Sequence, residues 1–151
     1  MAGNSTSHSN VSILIADDEP AMRQLLASIL RAAGYDKLAY AHDGQQALSR
    51  LSDPDCDIDI AFLDINMPNF SGLEVMSRAK VVRENCFFVI ISAHSALDNV
   101  RAAINGGARG FIVKPYTTQR IHDILMKFET GPSACTMARN GREPDCGLRA
   151  E

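Results

Sequence analysis

Residues 58–68 read Ile58-Asp59-Ile60-Ala61-Phe62-Leu63-Asp64-Ile65-Asn66-Met67-Pro68, or IDIAFLDINMP: an apolar run that ends on a carboxylate and then meets a proline. Such a short run, bounded by a turn residue, predicts a strand covered on both faces. A core does not tolerate an unpaired charge, whereas the carboxyl ends of strands in an open α/β sheet are where ligands bind. Whether Asp64 stands at such an edge depends on what flanks the run.

Similar runs recur on both sides of it. VSILIA (11–16), KLAYA (37–41), CFFVIIS (86–92) and GFIVK (110–114) predict four further strands beside the one over 58–64. Between them lie helical stripes. Met22, Leu25, Leu26, Ile29, Leu30 and Ala33 run to a stop at Gly34, and Ala47, Leu48 and Leu51 share the face of a short second helix. Leu73, Met76, Ala79, Lys80 and Val82 follow Gly72 in a third, and Leu97, Val100, Ala103 and Ile104 are expected to point inward from a fourth that ends at Gly106-Gly107. Ile121, Ile124, Leu125 and Phe128 stripe a fifth, with Thr117 placed to cap it. Five βα units with continuous apolar strands predict a doubly wound α/β sandwich on a parallel sheet. The domain is expected over 11–129. Residues 1–10 and 130–151 lack periodicity and are expected to be disordered tails.

The composition is that of a folded domain: 46% of the 151 residues are hydrophobic, 22% are charged, and the net charge is −3. That balance offers no basic surface for direct nucleic-acid binding. The opening residues MAGNSTSHSN have no signal-peptide character and no run spans a bilayer, so a cytoplasmic protein without membrane insertion is expected. Cys56, Cys86, Cys135 and Cys146 lack zinc-site spacing; Cys86 reads as core packing and the two tail cysteines as free thiols.

The strands end on residues with chemistry: Asp17-Asp18 after the first, Asp64 on the third, Ser92 on the fourth, Lys114 on the fifth. If the first and third strands are neighbours, their carboxylates start about 5 Å apart. Two charges at about 4 Å repel by ~4 kcal/mol at an effective dielectric of 20, which calls for a counter-ion or raised pKa values. A hard divalent cation such as magnesium suits an all-oxygen acid cluster, and Lys114 adds a second positive group; together they form a seat for a phosphoryl group, with Ser92 as a hydroxyl donor. Taken singly, each residue has a plainer explanation. Asp17, Asp18 and Glu19 before Pro20 equally suit the acidic first turn of a helix, and Ser92 and Lys114 suit a cap and a surface cation. The joint pattern favours the phosphoryl site.

With ILIADDEP, LDINMPNFSG, IISAHS and GARGFIVKPY in place, the chain resembles the receiver domains of two-component response regulators over residues 11–128, in particular the single-domain chemotaxis regulators. The resemblance implies a flavodoxin-like strand order 2-1-3-4-5. It implies Asp64 as phospho-acceptor, and magnesium, with manganese able to substitute, on Asp17, Asp18, Asp64 and the Asn66 backbone carbonyl. It further implies Lys114 on the phosphoryl group, Ser92 as the switch hydroxyl, a cis Lys114–Pro115 peptide, and His94 and Asn66 as modulators of phosphoryl lifetime. Phe111 takes the place of the rotating aromatic, often Tyr in the family, so its ring can turn but no hydroxyl contact forms.

The function so implied is acceptance of a phosphoryl group from a histidine kinase or phosphotransfer protein, followed by a change at an output surface on the fourth helix, fifth strand and fifth helix that an unidentified downstream protein reads. Such a protein is not a dedicated enzyme, although it takes part in its own phosphorylation and dephosphorylation. A stand-alone regulator is the expected form. Two alternatives exist: a phosphatase of the haloacid-dehalogenase type, which places a second Asp where Asn66 stands, and a phosphorylation-independent interaction module, which would not need the full residue set.

Overall fold

In the computed structural model, which describes residues 10–93 and 97–130, the apolar runs become parallel strands and the amphipathic stripes become the helices between them. The chain order is β1 (Ser12–Ala16), α1 (Pro20–Ala32), β2 (Lys37–Ala41), α2 (Gly44–Ser52), β3 (Ile60–Asp64), α3 (Gly72–Ala79), β4 (Phe87–Ser92), α4 (Leu97–Asn105), β5 (Gly110–Val113) and α5 (Thr118–Thr130). Two compact units make up these residues, one up to Tyr116 and one from Thr117.

All five strands of the first unit form one parallel sheet in the order β2-β1-β3-β4-β5. β1, β3 and β4 are buried along their whole length because helices cover both sheet faces. Leu14, Ala16, Ala61 and Leu63 point to one face and pack with Ala47 and Leu51 of α2, Val75, Met76 and Ala79 of α3, and Ala103 of α4. Ile13 and Ile15 alternate to the other face, the side of α1 and its buried Leu26 and Leu30. Full burial of each large aliphatic or aromatic side chain stabilises the fold by about 1.5–3 kcal/mol, so the central strands carry much of the stabilisation.

The amino edge of the sheet is tied separately. Asp59 accepts a bond from the Ser12 amide at 2.9 Å through its carboxylate, donates its own amide to the Ser12 carbonyl at 2.8 Å, and accepts from the Phe87 amide at 2.8 Å. Burial raises the Asp59 pKa. Below it, the Arg83 guanidinium donates to the carbonyls of Leu51 (2.8 Å), Asp53 (2.6 Å) and Cys56 (2.7 Å) and pairs with Asp57 at 3.1 Å, which clamps the α2–β3 loop. Cys86 is a buried free thiol, its pKa pushed up to about 12 by burial.

Two helices depart from the stripes expected of them. α3 ends at Ala79, so Val82 lies beyond it and is 59% exposed. On α4 only Ala103 is buried; Leu97 and Ile104 are 61% and 62% exposed, and the helix is turned so that the small residue, not the large stripe, meets the core. α5, in the second unit, buries Ile121, Ile124 and Leu125, and the Thr117 hydroxyl caps it by accepting from the Arg120 amide at 3.1 Å.

Candidate functional site: an acidic pocket at the carboxyl edge of the sheet

Strand hydrogen bonding continues one residue beyond three of the strand ends. The Asp17 amide donates to the Ala41 carbonyl (3.1 Å), Ile65 to Ile91 (2.8 Å) and Lys114 to Ser92 (2.8 Å). Each backbone that carries a polar group at this edge is therefore held by the sheet itself. β1 and β3 are adjacent, and carboxylate oxygens of Asp17, Asp18 and Asp64 lie within 4.8 Å of one another. Asp17 and Asp64 are 2% and 3% exposed, while Asp18 is open to solvent.

Lys114 reaches into this cluster. Its Nζ lies 3.0 Å from Asp17 Oδ2, 3.1 Å from Asp64 Oδ2 and 3.1 Å from Glu19 Oε1. The second Asp64 oxygen accepts from the Asn66 amide at 3.2 Å, and Asp17 Oδ1 accepts from the Glu19 amide at 2.9 Å. Burial, and next the charge of Asp17, push the Asp64 carboxyl up to about 6 despite Lys114. The Lys114 pKa is raised by its bonds to Asp17 and Asp64, which outweigh the opposing effect of burial.

Glu19 separates the two explanations of the DDEP stretch. It occupies the N-cap position of α1 with Pro20 at the first helical residue, as an ordinary helix start requires, yet its carboxylate makes no cap and binds Lys114 instead. One cation thus serves Asp17, Glu19 and Asp64, and Asp18 adds a fourth acid at the rim. The excess negative charge and the all-oxygen donors fit a hard divalent cation such as magnesium. Among the described residues, neither His nor Cys belongs to the cluster.

Of the remaining residues singled out in the sequence, Ser92, Asn66 and Lys114–Pro115 lie at the carboxyl ends of their strands. Ser92 ends β4 fully buried, with Phe111 half-buried on β5 against the side of the core that α2 and α3 cover. Asn66 is exposed two residues beyond Asp64, and the Lys114–Pro115 peptide is cis. His94 lies outside the described residues, as do Cys135 and Cys146. Gly72 has a steric reason: a Cβ there would stand 2.4 Å from the Asp64 carbonyl oxygen, while its amide donates to the Ile65 carbonyl at 3.1 Å.

Sequence reasoning missed three supports of the pocket. Arg23, one turn into α1, donates to the Asp17 carbonyl at 2.6 Å. The buried Tyr116 hydroxyl donates to the Met22 carbonyl at 3.2 Å, and burial pushes its pKa up to about 12. Asp43 and Gly44, at the start of α2, touch the loop that follows Asp64. Among these only Arg23, a cation at helical spacing after the acid pair, left any trace in sequence.

Known proteins resemble this chain in sequence and fold. The model for the response regulator receiver domain matches residues 13–126. The chain is similar to the chemotaxis protein CheY of Thermotoga maritima, 32% identical over 115 residues that cover 76% of this chain and 94% of that protein. It is likewise similar to sporulation initiation phosphotransferase F of Bacillus subtilis, 32% identical over 119 residues, or 79% of this chain and 94% of that one. Among solved structures, a chain of the CheX-CheY-BeF3-Mg2+ complex from Borrelia burgdorferi matches with a TM-score of 0.75 at 28% identity, covering 80% of this chain and 90% of that one. With its flavodoxin-like sheet and an acidic pocket at the carboxyl edge, the chain belongs to the family of response regulator receiver domains.

Proposed function

We propose that this receiver accepts a phosphoryl group on Asp64 from the phosphohistidine of a kinase or phosphotransfer protein, and that the modified pocket alters a surface read by a downstream protein. The observation that carries this reading is Lys114 Nζ at 3.1 Å from Asp64 Oδ2 within a cluster of three carboxylates. Asp17, Asp18, Asp64 and the backbone carbonyl of Asn66 would hold magnesium, or manganese with its similar oxygen preference. When bound, the metal supplies positive charge to the phosphoryl oxygens. The similar Borrelia chain comes from a complex that contains Mg2+ and BeF3, in keeping with this assignment.

Asp64, with a carboxyl pKa of about 6, is ionised at neutral pH and can serve as nucleophile. Its oxygen forms the bond to phosphorus as the bond from phosphorus to the donor imidazole nitrogen breaks, and the leaving imidazole takes a proton from solvent. Lys114 neutralises an equatorial oxygen, so the chain contributes positioning and charge, which phosphoryl transfer chiefly needs. Return to the free state is hydrolysis in the same pocket. Ser92 follows the new phosphoryl oxygens and Phe111 takes the space it leaves, a local charge change that biases a two-state element. The output surface is assigned to α4, β5 and α5. Leu97, Ile104 and Val113 are exposed, so α4 and β5 each present apolar side chains suited to a protein partner.

No helix among the described residues is long and apolar enough to cross a membrane, and a cytoplasmic setting suits a kinase-fed regulator. Asn66 stands where a haloacid-dehalogenase phosphatase needs its second Asp, so that reading lacks its proton shuttle. Intact mass after incubation with a small acyl phosphate tests the proposal. One phosphoryl group is expected on the wild type with magnesium, and none on Asp64→Asn or without the metal. Equal labelling of Asp64→Asn would refute it.

A further inference from the structure

The loop that follows Asp64 is gripped from an element that carries none of the pocket's charged residues. The Asp43 carboxylate caps α2, with Oδ1 accepting from the Gln46 amide at 2.7 Å, while the Gln46 side chain accepts from the His42 amide at 2.9 Å. The Gln46 amide thus holds the Asp43 carboxylate, and the Gln46 side chain holds the backbone just before it. Its free oxygen, Oδ2, accepts from Asn69 Nδ2 at 3.1 Å, with His42 Nδ1 3.7 Å away from the same atom. Asn69 itself has a φ of 73°, a left-handed conformation that Asn and Asp adopt more readily than other side-chain-bearing residues.

Gly44 adds a second grip. Its amide donates to the Pro68 carbonyl at 3.1 Å, and a Cβ on it would lie 2.0 Å from the Phe70 carbonyl oxygen. Only glycine lets the two backbones approach so closely. The far side of the loop is set by Gly72 against the Asp64 carbonyl. Asn66, whose backbone carbonyl the proposed function assigns to the metal, therefore sits in a loop held at both ends, and the amino end of α2 provides one of the holds.

We propose that Asp43 and Gly44 are positioning residues for the phosphoryl site, holding the 66–71 loop in the geometry that metal binding and phosphoryl transfer use. The inference rests on the proposed function of Asp64. A displacement of about 1 Å in such a loop suffices to reduce reactivity severely, because the reaction depends on alignment.

The test uses the full chain in four forms: wild type, Asn69→Gly, Gly44→Ala, and the exchanged pair Asp43→Asn with Asn69→Asp. Asn69→Gly keeps the left-handed backbone but removes the link, and the exchanged pair restores it with donor and acceptor reversed at unchanged net charge. Hydrogen exchange over 65–71 without metal, Mg2+ titration by calorimetry, and KM for a small acyl phosphate are measured well below each melting temperature. Asn69→Gly and Gly44→Ala are expected to exchange faster over the loop and to bind Mg2+ about three- to tenfold more weakly. The exchanged pair should stay within about twofold of wild type. Unchanged Mg2+ affinity in Asn69→Gly, or no recovery in the exchanged pair, overturns the positioning role while leaving Asp64 as acceptor. A wild type that neither binds Mg2+ nor becomes phosphorylated overturns both.

Discussion

Replacing Asp64 by Asn should stabilise the metal-free protein, and the effect should depend on pH in a defined way. The Asp64 carboxyl titrates at about 6 in the folded chain against 3.8 for an unperturbed Asp, because it is buried and faces Asp17. The folded state therefore binds this proton more tightly than the unfolded state does. Stability attributable to the group is fully present below the unfolded pKa, falls as pH rises from about 4 to about 6, and stays low above that window. A shift of about two units corresponds to about 3 kcal/mol lost at neutral pH. Asn cannot ionise, keeps an oxygen for the Asn66 amide, and escapes the loss.

Urea unfolding with chelator present measures the difference. With a slope of about 2 kcal/mol per molar, the Asp64→Asn midpoint should exceed that of wild type by about 1.5 M at pH 7.5 and converge with it near pH 4. Asp59, whose pKa is also raised, contributes equally to both proteins and cancels. Magnesium in place of chelator should narrow the gap by binding the folded wild type. A gap of the same size at both pH values would refute the reasoning, since it would then arise from packing rather than ionisation.

Two further substitutions test the frame around the pocket. Gly72→Ala would set a Cβ 2.4 Å from the Asp64 carbonyl oxygen, a backbone atom that cannot swing aside, so a loss of about 2 kcal/mol is expected in urea unfolding. Arg83→Met keeps the aliphatic stem but leaves the carbonyls of Leu51, Asp53 and Cys56 without their donor; about 2 kcal/mol of destabilisation and faster hydrogen exchange over 51–57 are expected, and unchanged exchange there would deny the clamp.

The strands were legible in the sequence because burial on both faces leaves runs such as FFVIIS with little but apolar residues, a pattern that needs no tertiary information. Their spatial order was not legible in that way; it came from the resemblance, and hydrogen-bond pairing bears it out. Periodicity failed at α4, where Leu97, Val100 and Ile104 form a stripe as regular as that of any core helix. Apolar spacing reports that a helix has an apolar face, not that the same chain covers it. At α3 Lys80 and Val82 extended the pattern past the true end at Ala79, and the Val82 side chain is 59% exposed. The acids and the lysine at the strand ends could be located in advance because strand pairing fixes their backbones. Asp43 and Asn69 act through loop geometry between segments 26 residues apart, and no local pattern encodes that.

One cation set against several acids makes the empty pocket costly to the fold. Lys114 is the cation paired with Asp17, Asp64 and Glu19, and burial together with the charge of Asp17 keeps the Asp64 carboxyl high even with an ammonium at 3.1 Å. A second buried lysine would lower that pKa and stabilise the chain, but it would also cancel the negative field that attracts a divalent cation. Conversely, without Lys114 two nearly buried carboxylates would face each other uncompensated, a defect that costs several kcal/mol. The observed balance, one cation against an excess of acids, leaves the free state under electrostatic strain. A metal ion held as proposed by Asp17, Asp18 and Asp64 would relieve that strain on binding, linking binding energy to fold stability. Destabilisation of the empty pocket is in this sense part of its affinity, as the stability–function trade-off at active sites anticipates.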